Sequence, residues 1–223
     1  MKILGIVGSY RKGGNTDLLT EAILASAAGH GAETEKVFID DLKMGSCRGC
    51  MECRKDGICC QEDDVAGLVA KIDQADGVVF GSPIYGNYIT GQAKILLDRL
   101  MGVINKTTFV PGKGPVKVSR LKPKKRNVVI LMAIGAERPE SADDALKLVR
   151  RMLSSFANGG TVEELRATGL MDKGQVGMLE AELAAIARKQ NPSADIQAKA
   201  AEMNLHNQEL LKMAGELGAG LIQ

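Results

Sequence analysis

All five cysteines of this 223-residue chain lie in one run, Cys47-Arg-Gly-Cys50-Met-Glu-Cys53-Arg-Lys-Asp-Gly-Ile-Cys59-Cys60. Three thiols at every third position can wrap around one corner of a cube, each reaching a different iron. A fourth can return across a turn, which Gly57 provides. Four cysteine thiolates are what a [4Fe–4S] cluster requires, although the x2, x2, x5 spacing here is not the ferredoxin run, which closes with x3 and a proline. Two other chemistries use the same residues. A redox dithiol such as Cys50/Cys53 is one. Structural zinc is the other, but it ordinarily takes two separated Cys-x2-Cys knuckles and suits a single compact run poorly. Simple packing is a weak account of five cysteines in a loop that also carries Arg48, Arg54 and Lys55. Those bases favour anionic thiolates, a reduced cluster or an acidic donor protein; ordinary solvation is the plainer reading of them.

A second group of residues suits an anion. Gly8-Ser-Tyr-Arg-Lys-Gly-Gly-Asn15-Thr16 follows an apolar run and precedes a helical pattern, and helix N-termini hold phosphate through unpaired backbone N–H groups. Ser9 and Thr16 add hydroxyls, Asn15 an amide and Arg11 a charge. The loop lacks the Gly-Lys-Ser/Thr ending of a Walker loop and is not a Gly-x-Gly-x-x-Gly fingerprint, so a monophosphate ester fits better than a diphosphate. The alternative is a plain strand-to-helix turn. Ser82-Pro83-Ile84-Tyr85-Gly86-Asn87 repeats the logic after another apolar run, with amides to reach a ring edge and Tyr85 to lie against a ring face or merely pack on the sheet edge. Lys94, Asp98 and Arg99 follow; the last two either brace that loop or form a solvated face.

The elements that must position these loops alternate along the chain. Strands are expected at 2–8, 33–39, 76–82, 127–133 and 160–165, and helices at 17–29, about 63–74, 90–105 and 141–156. Asn15 or Thr16 is expected to cap the first helix. From about Gly174 the chain reads as helical, broken at Asn191-Pro192. Strict alternation without an internal repeat implies an α/β fold with a parallel sheet between helices, and five strands suit the flavodoxin-like order 2-1-3-4-5. Ligands then bind outside the carboxyl ends of the strands, so the loops at 8–16, 82–90 and 134–139 should face one site. The basic stretch 111–126 is expected to be a long insertion, either a mobile solvated loop or a docking place for NAD(P)H phosphates or a ferredoxin.

Gly-Ser-x-Arg-x-x-Gly-Asn-Thr, then Ser-Pro-Ile-Tyr-Gly-Asn, then Lys-x-x-x-Asp-Arg, resembles the NAD(P)H-dependent FMN reductase group of the flavodoxin superfamily over about residues 1–170. The resemblance implies bound FMN, with its phosphate on Ser9, Arg11, Asn15 and Thr16. Its ring would lie against Ser82, Pro83, Ile84, Tyr85, Gly86 and Asn87 and the loop near Gly135. The cysteine run resembles the compact motif of the iron–sulfur flavoprotein family, which shares that fold. That likeness implies ligation by Cys47, Cys50, Cys53 and Cys59, with Cys60 spare, although the adjacent pair could exchange roles. Low aromatic content departs from flavodoxins proper, which flank the ring with aromatic side chains, and implies a more open flavin. The implied protein is an FMN-dependent oxidoreductase passing electrons from ferredoxin or NAD(P)H to a small acceptor. The rivals are a cluster-free NAD(P)H-dependent FMN or quinone reductase, and a flavin-binding oxidant sensor. A domain at 1–170 with its cysteine loop at 44–62 is expected, followed by a helical extension at 171–223. The extension's apolar residues are read partly as a homodimer or homotetramer contact.

The composition narrows the classes further. Hydrophobic residues make up 45% of the chain, which excludes disorder, and a net charge of +2 argues against nucleic-acid binding. No apolar run reaches the roughly 18 residues of a membrane span. The N-terminal Met-Lys-Ile-Leu-Gly-Ile-Val-Gly run enters a glycine loop without a cleavage site, so a cytoplasmic location is expected. His30 and His206 suggest no proton relay, and the ten methionines read as core filler.

Overall fold

Five parallel strands form the centre of the protein, described by a computed structural model over residues 1–223. They are β1 (Lys2–Val7), β2 (Glu33–Phe38), β3 (Gly77–Tyr85), β7 (Asn127–Ala133) and β8 (Val162–Ala167), in the order β2-β1-β3-β7-β8. Counted along the parallel sheet this is the expected 2-1-3-4-5. The inner strands are apolar almost throughout because helices cover both faces, whereas the edge strands Glu-Thr-Glu-Lys-Val-Phe and Val-Glu-Glu-Leu-Arg-Ala alternate and carry charge. No helix is long and apolar enough to cross a membrane.

Helices α3 (Val65–Gln74), α4 (Gly91–Ile104) and α5 (Asp143–Ala157) pack on one face, where Phe80, Leu96, Leu97 and Ile130 meet in one core. Helices α1 (Asn15–Gly29) and α7 (Ile196–Gly220) cover the other, joining Leu19 and Ile23 to Leu210 and Ala214. The helical tail is therefore part of the main core rather than a detached cap. Its first helix, α6 (Glu180–Gln190), makes a small core of its own with the start of α7. Exposed apolar residues remain on this tail, notably Leu179 and Leu205.

Several elements differ from the sequence reading. The third strand continues through Ser82 to Tyr85 and folds back as β4 (Tyr88–Ile89) across a two-residue turn. Gly86 and Asn87 both have positive φ, the geometry that a tight hairpin demands. The cap of α1 is Gly14, not Asn15 or Thr16, because the Asn15 side chain is drawn to another loop. Most of 111–126 is not a mobile loop. Its first half closes a hairpin of β5 (Asn105–Val110) and β6 (Gly114–Ser119), separate from the main sheet. Its end is pinned by Arg126, buried and fanned onto the carbonyls of Asp73, Ala75, Lys122 and Lys124.

The crossing of α7 over α1 requires Gly218, where a Cβ would run into the Ile23 carbonyl and come within 2.8 Å of Ser26 Cβ. Gly218→Val should therefore lower stability by about 1–3 kcal/mol through overpacking, read as a lower urea midpoint with an unchanged m-value.

Candidate functional site

The loop after β1 is held against β3 by short-range contacts that leave no room for a side chain. The Gly8 N–H donates to the Gly81 carbonyl at 2.7 Å, and Thr90 Oγ1 donates to the Gly8 carbonyl at 2.7 Å. A Cβ on Gly8 would stand 3.1 Å from both Ala93 Cβ and the Gly81 oxygen. Asp17 then fastens the loop from inside, accepting from the Gly13 N–H and pairing with Lys36. These bonds set the start of α1 at the carboxyl edge of the sheet.

A cleft of about 220 Å³ opens there. Ser9, Arg11, Asn15 and Thr16 form one wall, Pro83, Ile84 and Tyr85 another, and Gly135 a third. Three loops expected to face one site do so. Ser82 is not in the cleft: it is fully buried, its hydroxyl donating to the Pro83 carbonyl and accepting from the Thr90 N–H. Gly86 and Asn87 form the hairpin turn and do not line the cleft. Asn15 reaches it, but its amide is committed. It donates to the Leu170 and Asp172 carbonyls and accepts from the Val176 N–H, leaving only its backbone for a ligand.

That same tie brings in a fourth loop, which sequence reasoning missed. Leu170, Met171 and Lys173, beyond β8, complete the cleft. The only hint was that the fifth strand ends on the same edge as the others.

The cleft fits a phosphate ester on structural grounds. The backbone N–H groups of Asn15, Thr16 and Asp17 open α1 and have no acceptor in the protein. Arg11 and Lys173 supply positive charge beside them. Tyr85 is about half exposed on the neighbouring wall, open to a ring face.

The cysteine loop forms a second recess, of about 350 Å³. Cys47, Cys50, Cys53 and Cys59 line it and Cys60 does not. Cys60 lies outside, its Sγ 3.4 Å from Cys50 Sγ. Short helix α2 (Cys53–Asp56) ends at Gly57, φ +87, and Arg120 at the end of β6 donates to the Arg54 carbonyl. Gly102 of α4 gives Cys53 its space, since a Cβ there would overlap the sulfur. No three His, Cys, Asp or Glu side chains converge on a single-ion position.

Arg99 braces this recess rather than the 82–87 loop. Its side chain is 1% exposed, donates to the Gly45 carbonyl at 2.7 Å and forks onto Asp63 at 2.7 and 2.9 Å. Lys94 and Asp98 instead pair with each other on the helix surface. Arg99 Nε is buried without a partner in the protein. Burial pushes the Cys53 thiol up, and the charges of Cys59, Cys47 and Cys50 push it further. The Cys50 thiol is shifted the other way, downward, chiefly by the backbone N–H of Glu52. Arg48, Arg54, Arg99, Lys106 and Lys117 on the walls, against Asp98 alone, fit a centre whose total charge with its thiolates is negative. The cleft beside α1 and this recess have no wall residue in common.

Residues 1–149 match the family model described as NADPH-dependent FMN reductase. An iron-sulfur flavoprotein of Methanocaldococcus jannaschii is 41% identical over 99 residues, covering 44% of this chain and 51% of the relative. A second from the same organism is 31% identical over 151 residues, covering 67% and 69%. The chain spans about half the length of several iron-sulfur flavoproteins it matches. Among solved structures, an azoreductase from Bacillus anthracis superposes with TM-score 0.64 at 22% identity, covering 98% of this chain and 99% of that one. An NAD(P)H:quinone oxidoreductase from Methanothermobacter marburgensis does so at 0.61 and 15%, covering 99% and 98%. At those identities the likeness is one of fold.

The Arg99–Asp63 pair ties the cysteine loop to α4, and its pH dependence has a definite sign. The Arg99 guanidinium holds the Asp63 carboxyl below its ordinary range. The stabilisation is thus complete above the unfolded carboxyl pKa of about 3.9 and is lost as pH falls through the lower folded value. Asp63→Asn should cost about 3–5 kcal/mol at neutral pH, because Arg99 stays buried. It should also flatten the fall in urea stability below about pH 4.

Proposed function

Since this chain belongs to the NADPH-dependent FMN reductase family, we propose that it is an FMN-dependent oxidoreductase that also carries a [4Fe–4S] cluster. In this reading it passes electrons from a one-electron donor such as ferredoxin, or from NAD(P)H, to a small acceptor. The observation that carries the cluster assignment is the recess walled by Cys47, Cys50, Cys53 and Cys59, with cationic side chains around it and Cys60 excluded. The names of the iron-sulfur flavoprotein relatives support it.

The chain's own residues divide the work. Arg11, Ser9, Thr16 and the first N–H groups of α1 hold the flavin phosphate. Pro83, Ile84, Tyr85 and Gly135 place the ring at the carboxyl edge of the sheet. Asn15 acts through the 170–176 loop, closing the cleft from its far side. When bound, FMN exchanges electrons singly or in pairs and the cluster exchanges them singly, so together they connect one-electron and two-electron partners. Arg99 lies beside Cys59 and, held by Asp63, offers its unpartnered Nε to the sulfurs of the recess. The remaining basic wall favours an acidic donor protein. No side chain is asked to act as an acid or base.

In one chain the two recesses are separate. A homodimer or homotetramer that brings one subunit's cysteine recess to a neighbour's flavin belongs to this proposal, with exposed Leu179 and Leu205 as contact surface. So do a cytoplasmic location and a division into a flavin-binding unit at 1–170 and an extension at 171–223 folded onto it. The second reading, a cluster-free NAD(P)H-dependent FMN or quinone reductase, draws on the Cys50–Cys60 contact, which suits a thiol pair.

Anaerobic purification with iron, sulfide and FMN assays on one sample separates the two. About four irons and four sulfides per chain, with FMN, is the expected result. FMN without iron after attempted reconstitution would establish the second reading instead. Cys47→Ser should lose iron while Cys60→Ser keeps it. Arg11→Ala should weaken FMN binding by about 1.5–3 kcal/mol, roughly 10- to 150-fold, in a fluorescence titration.

A further inference from the structure

Cys60 lies outside the recess, yet its Sγ is 3.4 Å from Cys50 Sγ, the one pair of cysteine sulfurs in the loop in hydrogen-bonding contact. Both residues are exposed, whereas Cys53 and Cys59 are half-buried. The backbone turns sharply on either side of Cys50. Gly49 has φ +66 and Met51 φ +67, and Met51 is a non-glycine residue held in the left-handed region with its side chain in solvent. Cys50 therefore stands at the apex of a strained turn, with the recess sulfurs as one set of partners and Cys60 as the other. We propose that Cys50 and Cys60 are a reversible disulfide site, and that this bond and the cluster are alternative fates of the one Cys50 sulfur. The alternation rests on the cluster reading above; the disulfide itself does not.

A small disulfide such as oxidised glutathione is the oxidant. The Cys60 thiolate attacks one of its sulfurs, the small S–S bond breaks and one thiolate leaves. Cys50 Sγ then gives its proton to solvent and attacks Cys60 Sγ, expelling the second small thiolate. Two protein thiols have lost two electrons, the small disulfide has become two thiols, and excess dithiol reverses both steps. From 3.4 Å, bonding distance of about 2.05 Å is a movement of roughly 1.4 Å.

A [4Fe–4S] cluster takes four thiolates, and Cys50 bound to Cys60 leaves only Cys47, Cys53 and Cys59 in the recess. Conversely, a cluster that holds Cys50 leaves Cys60 without its partner. When no cluster is present, the disulfide keeps the exposed Cys50 sulfur from the irreversible steps of thiol oxidation, and reduction returns the whole ligand set. This use differs from that of a thiol pair in a cluster-free reductase, where nothing else claims Cys50.

The test is a tryptic peptide map by mass spectrometry, since trypsin cuts between the two cysteines at Arg54 and Lys55. Oxidised glutathione is added anaerobically to the iron-free and to the iron-loaded full chain, and remaining thiols are then blocked with N-ethylmaleimide. Iron-free protein should yield a linked Cys50–Cys60 peptide that dithiothreitol removes, and iron-loaded protein about tenfold less of it. Cys60→Ser should keep its iron when loaded and show no internal link at Cys50 when iron-free. Absence of the link, a link of Cys50 chiefly to Cys47, Cys53 or Cys59, or equal yields from loaded and iron-free protein would each overturn the proposal. Loss of iron in Cys60→Ser would do the same, because Cys60 would then be a ligand. Protein that takes up no iron overturns the cluster reading and the alternation with it, and the same map on that protein still decides whether the disulfide forms.

Discussion

The strand order places β2 and β3 on opposite sides of β1, and the rest of the site follows from that divergence. The chain leaving β1 turns one way and the chain leaving β3 turns the other. Between them the carboxyl edge of the sheet cannot be filled by either connection. Gly8 makes the gap usable, since its lack of a side chain lets the first loop sit on β3 and α4 with bonds to Gly81 and Thr90. Moving that loop outward by the width of a methyl group would carry the start of α1, with its unpaired N–H groups, away from the sheet edge.

The cysteine loop depends on a different constraint. It has few apolar residues and little regular structure, so it is ordered by polar contacts from outside. Arg99 reaches it from α4 through Gly45 and Asp63, and Arg120 reaches it from the end of β6 through Arg54. Both are long cations whose heads are fixed by carbonyl or carboxylate oxygens. They both order the loop, and Arg99 at the same time sets positive charge beside Cys59. The β5–β6 hairpin, which no main-sheet strand pairs with, has a structural purpose in this light. It carries Lys106 and Lys117 to the recess and Arg120 to the Arg54 carbonyl.

The helical tail works in the same double way. Its α7 helix closes the second face of the sheet against α1, and the loop leading to it is tied back to Asn15. The segment that completes the core therefore also completes the cleft at the carboxyl edge of the sheet. A residue such as Asn15 can look like a phosphate ligand and serve instead as the knot between two parts of the fold.

Much of this was legible in the residues. Apolar runs bounded by glycine specified β1, β3 and β7 because an inner parallel strand has no face left for polar side chains. The spacing of Cys47, Cys50, Cys53 and Cys59 marked one local unit, and Gly8, Ser9 and Arg11 marked the loop that walls the cleft, because in each case neighbours in sequence are neighbours in space. What only the tertiary structure decided were contacts between distant segments. Ser82 was buried by Thr90, Asn15 was taken up by residues 170–176, Arg99 went to Asp63 rather than to the nearer loop, and His206 met Thr168. Each of those side chains is chemically able to serve a ligand. Which partner it has depends on packing across 8 to 161 positions of chain, a distance over which residue type and periodicity carry no information.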